Sequence, residues 1–237
     1  MSNTRGTTTS NSTRDNGNVV DLFSGKTFPT LQKERLVRLS PEHDGICMLY
    51  STTKSNPDKL YTMRILCWGI RDNGEVVGLV PWLNQILPCD ELEDPFFGQF
   101  EGYYDIGSER VFYHPPPHKT IELETAASYF RAGKLPEETI IQEIPDTIGT
   151  HAMLNADDDS SLILTEVLSW RLQHNGHIQA MLVDEDKVNV TPVLPGDPCL
   201  YPAEDNPNFR YFFQHQIANQ IKSQDPEALA AIALLFD

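Results

Sequence analysis

The sequence predicts an α+β fold: two related antiparallel β-hairpin or meander modules, with helices between them and a helical pair at the C-terminus. Two stretches carry that prediction, "ILCWGIRDNGEVVGLV" (Ile65 to Val80) and "VLSWRLQHNGHIQAML" (Val167 to Leu182). In each, a Leu and a small residue precede a Trp, and Asn-Gly comes after four further residues. The match extends outwards. Cys47 to Tyr50 ("CMLY") corresponds to Ala152 to Asn155 ("AMLN"), and Ile86 to Asp90 ("ILPCD") to Val193 to Asp197 ("VLPGD"). Four landmarks in one order point to an internal duplication.

Each stretch reads as a hairpin for a physical reason. Both loop residues of a type I′ turn need φ > 0, which Asn and Gly tolerate. A two-residue loop at Asn73-Gly74 sets Trp68 opposite Leu79, Ile70 opposite Val77 and Gly69 opposite Gly78. One at Asn175-Gly176 sets Trp170 opposite Met181 and His174 opposite His177. Leu66, Trp68 and Ile70 share one strand face while Ile65 and Cys67 share the other, so the strand bases are expected to be covered on both sides.

The remaining elements follow in chain order. Residues 1–18 are rich in Ser, Thr and Asn and hold no apolar residue after Met1, which predicts a disordered tail. An N-terminal arm spans 19–44, and within it "TLQKERLVRLS" (Thr30 to Ser40) fits a short helix or an edge strand. The first β module with its helix occupies 45–147: "QFEGYYD" and "RVFYH" read as strands, and "KTIELETAASYFRA" as a helix ended by Gly133. Pro136 and the acids after it mark a further short helix. The second β module and the C-terminal helices occupy 148–237, with Asn206-Pro207 and Asp225-Pro226 as helix starts.

Composition narrows the function. The chain has 237 residues and a net charge of −16, with 34 Asp and Glu against 18 Lys and Arg. Nucleic-acid binding draws affinity from cations on phosphates, so a nucleic-acid partner is not expected. No stretch reaches the roughly 20 apolar residues that span a bilayer, so no membrane partner is expected either. Cys47, Cys67, Cys89 and Cys199 form no C-x-x-C pair, and no secretory signal is read, which predicts a reducing, cytoplasmic compartment.

Asp21-Leu22-Phe23-Ser24-Gly25 resembles the start of the cofactor loop of cytosine-5 DNA methyltransferases, and Pro198-Cys199 that family's nucleophile loop. The chain departs from the family at once: the next glycine after Gly25 is Gly45, Leu200 and not Gln comes directly after Cys199, and 38 residues remain after Cys199. His114 and His118 are separated by three prolines, which denies them helical ligand spacing. Asp157-Asp158-Asp159 lacks the spaced oxygen ligands of a cation loop.

The sequence therefore assigns no catalytic residue, metal ligand or cofactor. It favours a non-catalytic interaction or regulatory protein, with a protein partner or a second copy of itself. A small-ligand or enzyme site between the modules, lined by Tyr103, Tyr104, Phe112 and Tyr113, is the alternative. The predicted interface lies on the closing helix "DPEALAAIALLFD", where Leu229, Ile232, Leu235 and Phe236 belong to a surface apolar almost all round, which suits a homodimer.

Overall fold

The computed structural model describes residues 18–20, 27–29, 34–51, 60–94, 98–129, 134–156, 161–184 and 193–224. The predicted tail 1–17 and closing helix 225–237, with Leu229, Ile232, Leu235 and Phe236, lie outside the described residues. Residues 1–34 and 35–237 form two compact bodies. The first holds a small antiparallel pair, β1 (Asn18–Val20) and β2 (Thr27–Pro29).

The larger body is mostly antiparallel sheet. Its first half runs β3 (Leu36–Pro41), β4 (Ile46–Ser51), β5 (Leu60–Arg64), β6 (Cys67–Arg71), β7 (Val76–Trp82), β8 (Gln85–Pro88), β9 (Glu93–Asp94), β10 (Gly98–Asp105) and β11 (Arg110–Phe112). Helix α1 (Pro117–Ser128) follows, with the last proline of Pro115-Pro116-Pro117 at its first position, where no amide donor is needed. The second half runs β12 (Ile140–Pro145), β13 (His151–Asn155), β14 (Leu162–Gln173), β15 (Ile178–Val183), β16 (Leu200–Pro202), β17 (Phe209–Phe213) and α2 (His215–Gln224).

In the first half β3 pairs with β6, β4 with β5 and β10, β6 with β7, and β7 with β8. In the second half β14 pairs with β12, β13 and β15, β13 with β17, and β15 with β16. The chain breaks at Ile65-Leu66 between β5 and β6, whereas β14 runs unbroken for 12 residues and absorbs the bend as a bulge between Val167 and Ser169.

The hairpins are one residue out of the predicted register. Arg71 N donates to Glu75 O at 2.8 Å and Gln173 N to His177 O at 2.8 Å, which closes three-residue loops. The positive φ falls on Gly74 (+90°) and Gly176 (+87°), while the Asn side chains accept from Glu75 N and His177 N. This is a type I turn closed by a left-handed glycine, which Asn-Gly serves as well as it serves type I′. Trp68 therefore faces Gly78, Gly69 faces Val77, and Trp170 faces Ala180. Each indole sits opposite a very small residue, not a long one.

Three other expectations are corrected. The stretch at Asn206-Pro207 starts no helix: Phe209–Phe213 is strand β17, because its aromatics lie along β13 and suit a pleated surface, and the helix begins at His215. Pro136 opens a turn, closed by Thr139 N on Pro136 O at 3.1 Å. Val193 to Pro195 lies in no strand, whereas Ile86 to Pro88 belongs to β8. The stretch placed like "ILPCDE" is "LYPAED", Leu200 to Asp205, in which a strand also ends in Pro and runs into a 3-10 turn. The ambiguous Thr30–Ser40 stretch is a strand from Leu36 onward.

Two cores result. Ile65, Trp68, Ile70, Val80 and Tyr103 pack with Leu123 of α1 in the first. Leu39, Leu66, Cys67, Val77 and Leu79 face the other way, into a core shared with Ile144, Ala152, Trp170 and Leu182. Every residue of β6 and β7 is buried, as the two-sided apolar pattern requires. The Gln142 side chain bonds both backbone groups of Leu39 at 2.8 Å, tying β12 to β3.

Candidate interaction surface

Each Trp is held by the same device. Trp68 and Trp170 are fully buried, and each indole N–H donates to a carboxylate placed just after a proline, Glu42 or Asp146. Those carboxylates also accept backbone amides of the next turn: Glu42 from Asp44 and Ile46, Asp146 from Gly149 and Thr150. Each indole packs on an aromatic of a later strand, Trp68 on Tyr103 (5.0 Å) and Trp170 on Phe212 (5.4 Å). These carboxylates are saturated with structural donors.

The groups that sequence reading weighed for chemistry are dispersed. Tyr103 is buried in the first core with its hydroxyl accepting from Gly78 N, while Tyr113 is exposed, so the four aromatics do not share one environment. His118 contacts Asp44 at 2.9 Å and His177 contacts Glu204 at 2.9 Å, whereas His174 is buried. The His118 contact holds the Asp44 carboxyl below its ordinary range, helped by Lys119. All four cysteines are free and buried, and burial pushes up the thiols of Cys47 (to about 11), Cys67 and Cys89. Among the described residues, no three His, Cys, Asp or Glu side chains group as metal ligands. No helix among them is long and apolar enough to cross a membrane.

One exposed feature stands apart. The first half of β14, Leu162 to Glu166, pairs with β13 on one side, from Leu162 on Asn155 to Glu166 on His151. β15 pairs with β14 only from Val167 onward. Among the described residues nothing pairs with the other edge of 162–166. Leu162, Ile163 and Leu164 are 55%, 48% and 43% exposed, three consecutive large apolar side chains that alternate across both faces of an edge strand. Single exposed hydrophobics are ordinary, but a row of them on an unpaired edge is a template for another chain.

The strand that precedes Trp68 in the first half, β5, is closed. Along β5, helix α2 lays Gln220 against Thr62, whose N–H donates to Gln220 Oε1 at 3.0 Å while Gln220 Nε2 donates to Thr62 Oγ1 at 2.5 Å. Gln214, just before α2, donates to Arg64 O at 3.4 Å, and Ile217 packs on the first core. The amide that would template another strand is thus occupied by a side chain.

Charge separates the two regions as well. Residues 1–134 hold 17 Asp and Glu against 14 Lys and Arg, whereas 135–237 hold 17 against 4, so the second part carries −13 of the net −16. From Leu135 to Trp170 there is no Lys or Arg and there are eight acids. Residues 162–166 lie inside this stretch. Sequence reading passed over "LILTE" because a short apolar run looks the same whether it is core or edge, although the missing cations were visible. Compared with protein-family models, curated proteins and solved structures, the chain matches none.

Proposed function

We propose that this chain is a non-catalytic interaction protein built from two related β modules, with its binding edge on the second. The observation that carries the reading is the exposed row Leu162-Ile163-Leu164 on a strand edge that has no partner among the described residues, beside a counterpart strand closed by α2. Relatedness of the modules is supported by the parallel sets of strand pairings and the two Trp–carboxylate hooks. Pro88 and Pro202, each leading into a 3-10 turn, add to it. In this reading the modules span about 35–112 and 136–213, a division supported by the strand pairings.

In this reading the first module is a buttress. Its β3-β6-β7-β8 sheet has one face on its own core and the other on the core of the second module, which holds β14 rigidly from behind. Four buried free thiols suit a reducing compartment. The test is binding of immobilised intact protein to a displayed random nine-residue peptide library, repeated with Leu162→Lys/Leu164→Lys. Peptides that bind the wild type and not the variant are expected. Selection of the same peptides by both proteins would overturn the reading.

A further inference from the structure

We infer that Asn73-Gly74 is a modification site, where Asn73 converts through a succinimide to isoaspartate and aspartate, and that the fold shields its counterpart Asn175-Gly176 from the same reaction. This does not rest on the interaction reading above. The chemistry belongs to the Asn-Gly pair. Glycine carries no Cβ to hinder its amide, so the Gly74 nitrogen, on losing its proton to a base in solution, can reach Asn73 Cγ. The new N–Cγ bond closes a five-membered imide, the Cγ–Nδ2 bond breaks, and ammonia leaves. Water then opens the imide: attack at Cγ gives aspartate, and attack at the backbone carbonyl carbon gives isoaspartate. The sum is Asn plus water to an acid plus ammonia, with nothing oxidised or reduced. Either product adds a carboxylate between Asp72 and Glu75, and isoaspartate also lengthens by one atom the loop that Arg71 N closes on Glu75 O.

Both loops hold the reacting atoms apart in the same way. Gly74 N donates to Arg71 O at 3.0 Å and Gly176 N to Gln173 O at 2.9 Å, while each Asn Oδ1 accepts from the amide two residues on. Attack at either Asn therefore needs the loop to open, and the cost of opening sets the rate. One tie is common to both: Asp72 N donates to Arg35 O and His174 N to Thr139 O, each at 2.8 Å. Arg35 N adds a bond to Asp72 Oδ1 at 3.2 Å, upstream of Asn73.

Beyond that tie the loops differ. Asn73 and Gly74 are exposed, and no atom of the described residues lies within 4 Å of where a Cβ on Gly74 would stand. In the second loop Asn175 N donates to Glu137 O at 3.0 Å, so the reacting Asn is itself tied to a neighbouring segment. A Cβ on Gly176 would stand 2.9 Å from Leu36 N and 2.8 Å from Arg35 Cγ, so the nucleophilic glycine is packed against the chain there. Opening the second loop disrupts these contacts as well. Sequence neighbours argue the other way. His174 and His177 flank the second pair, and imidazole is a competent proton acceptor, whereas the carboxylates of Asp72 and Glu75 repel a deprotonated amide in the first. Faster reaction at Asn73 is therefore a signature of packing.

The test incubates the intact protein in mildly alkaline buffer and follows both Asn-Gly pairs by peptide mapping. Replacement of the amide by a carboxyl is read as a gain in mass, and the isoaspartyl peptide separates by retention. A parallel sample in concentrated urea removes the fold. In the native protein Asn73 is expected to convert at least about tenfold faster than Asn175, whereas in urea Asn175 should react as fast as Asn73 or faster. Asn73→Gln, whose longer side chain does not close a five-membered ring, should lose the product at 73 and leave the rate at Asn175 unchanged. Equal native rates would overturn the inference. So would a native protein in which neither pair reacts while both do in urea, or a preference for Asn73 that persists undiminished in urea.

Discussion

Strands β5 and β14 do the same work in their halves and end differently. Both pair antiparallel with a strand of similar sequence, β4 or β13; β5 precedes the Trp-bearing β6, whereas β14 carries Trp170 in its own second half. β5 is closed by Gln220 of α2, whereas residues 162–166 of β14 have no second partner among the described residues and lie in a sequence stretch without Lys or Arg. The difference teaches that the ladder and the Trp hook set the fold, and that edge closure is free to vary on top of it. What the ladder requires should be expensive to change in both halves. What the edge carries should be cheap to change.

The largest effect belongs to the hooks. Trp68→Ala and Trp170→Ala each remove a fully buried indole and leave a carboxylate without its donor, so each should cost about 3–5 kcal/mol in denaturant unfolding. If one variant loses less than about 1 kcal/mol, the two hooks are not equivalent and the comparison breaks there.

Next comes the residue opposite each Trp. A Cβ on Gly78 would sit 2.9 Å from Tyr103 Cε1 and 3.2 Å from both Cys89 Sγ and Ile65 Cδ1, so Gly78→Ala should cost about 1–3 kcal/mol by overpacking. The second module already has Ala180 at that place, and there Ala180→Gly should cost about 0.5–1 kcal/mol through the loosened strand. Opposite substitutions destabilising both modules would show that each packs its indole against its own neighbour. A neutral Gly78→Ala would show slack around Tyr103.

A smaller effect is expected where α2 closes β5. Gln220→Ala removes the acceptor of Thr62 N and a donor to Thr62 Oγ1, at a net cost of about 1 kcal/mol. Amide exchange at Thr62 should rise more than exchange in β6, because the loss is local. Unchanged exchange at Thr62 would mean that the edge is protected by something other than this side chain.

Legibility in the sequence followed the range of the forces involved. The Trp and Asn-Gly landmarks located both hairpins, since turn chemistry and apolar runs are local. The register slipped because Asn-Gly fits two loop lengths, and only the backbone bonds of Arg71 and Gln173 choose between them. The aromatic run Phe209 to Phe213 read as helix because Asn206-Pro207 looks like a cap, while its partner, β13, lies more than 50 residues away. The sequence offset pairs Pro88 with Pro195, whereas the proline that ends a strand and leads into a 3-10 turn, as Pro88 does, is Pro202, after a longer connection. The candidate edge was the least legible feature, since exposure is a property of what fails to arrive beside a strand.

The smallest stability effect should come from that edge, and its smallness is the point. Leu162 and Leu164 already spend about half their surface in water, so Leu162→Lys/Leu164→Lys removes little burial and adds two cations to a region of net negative charge. Hydrophobic loss and electrostatic gain oppose each other, and the sum should stay within about 0.5 kcal/mol, the usual range for surface positions. The slope of the denaturant transition should not change, because the surface exposed on unfolding is nearly the same. Aggregation on heating should slow, since Lys on an edge strand blocks pairing between chains. Measured together, unchanged unfolding and slower aggregation distinguish an open edge from a covered one. A loss above about 2 kcal/mol would mean that another part of this chain, or a second copy, covers Leu162 and Leu164 in the native protein, and the contrast with β5 would then disappear.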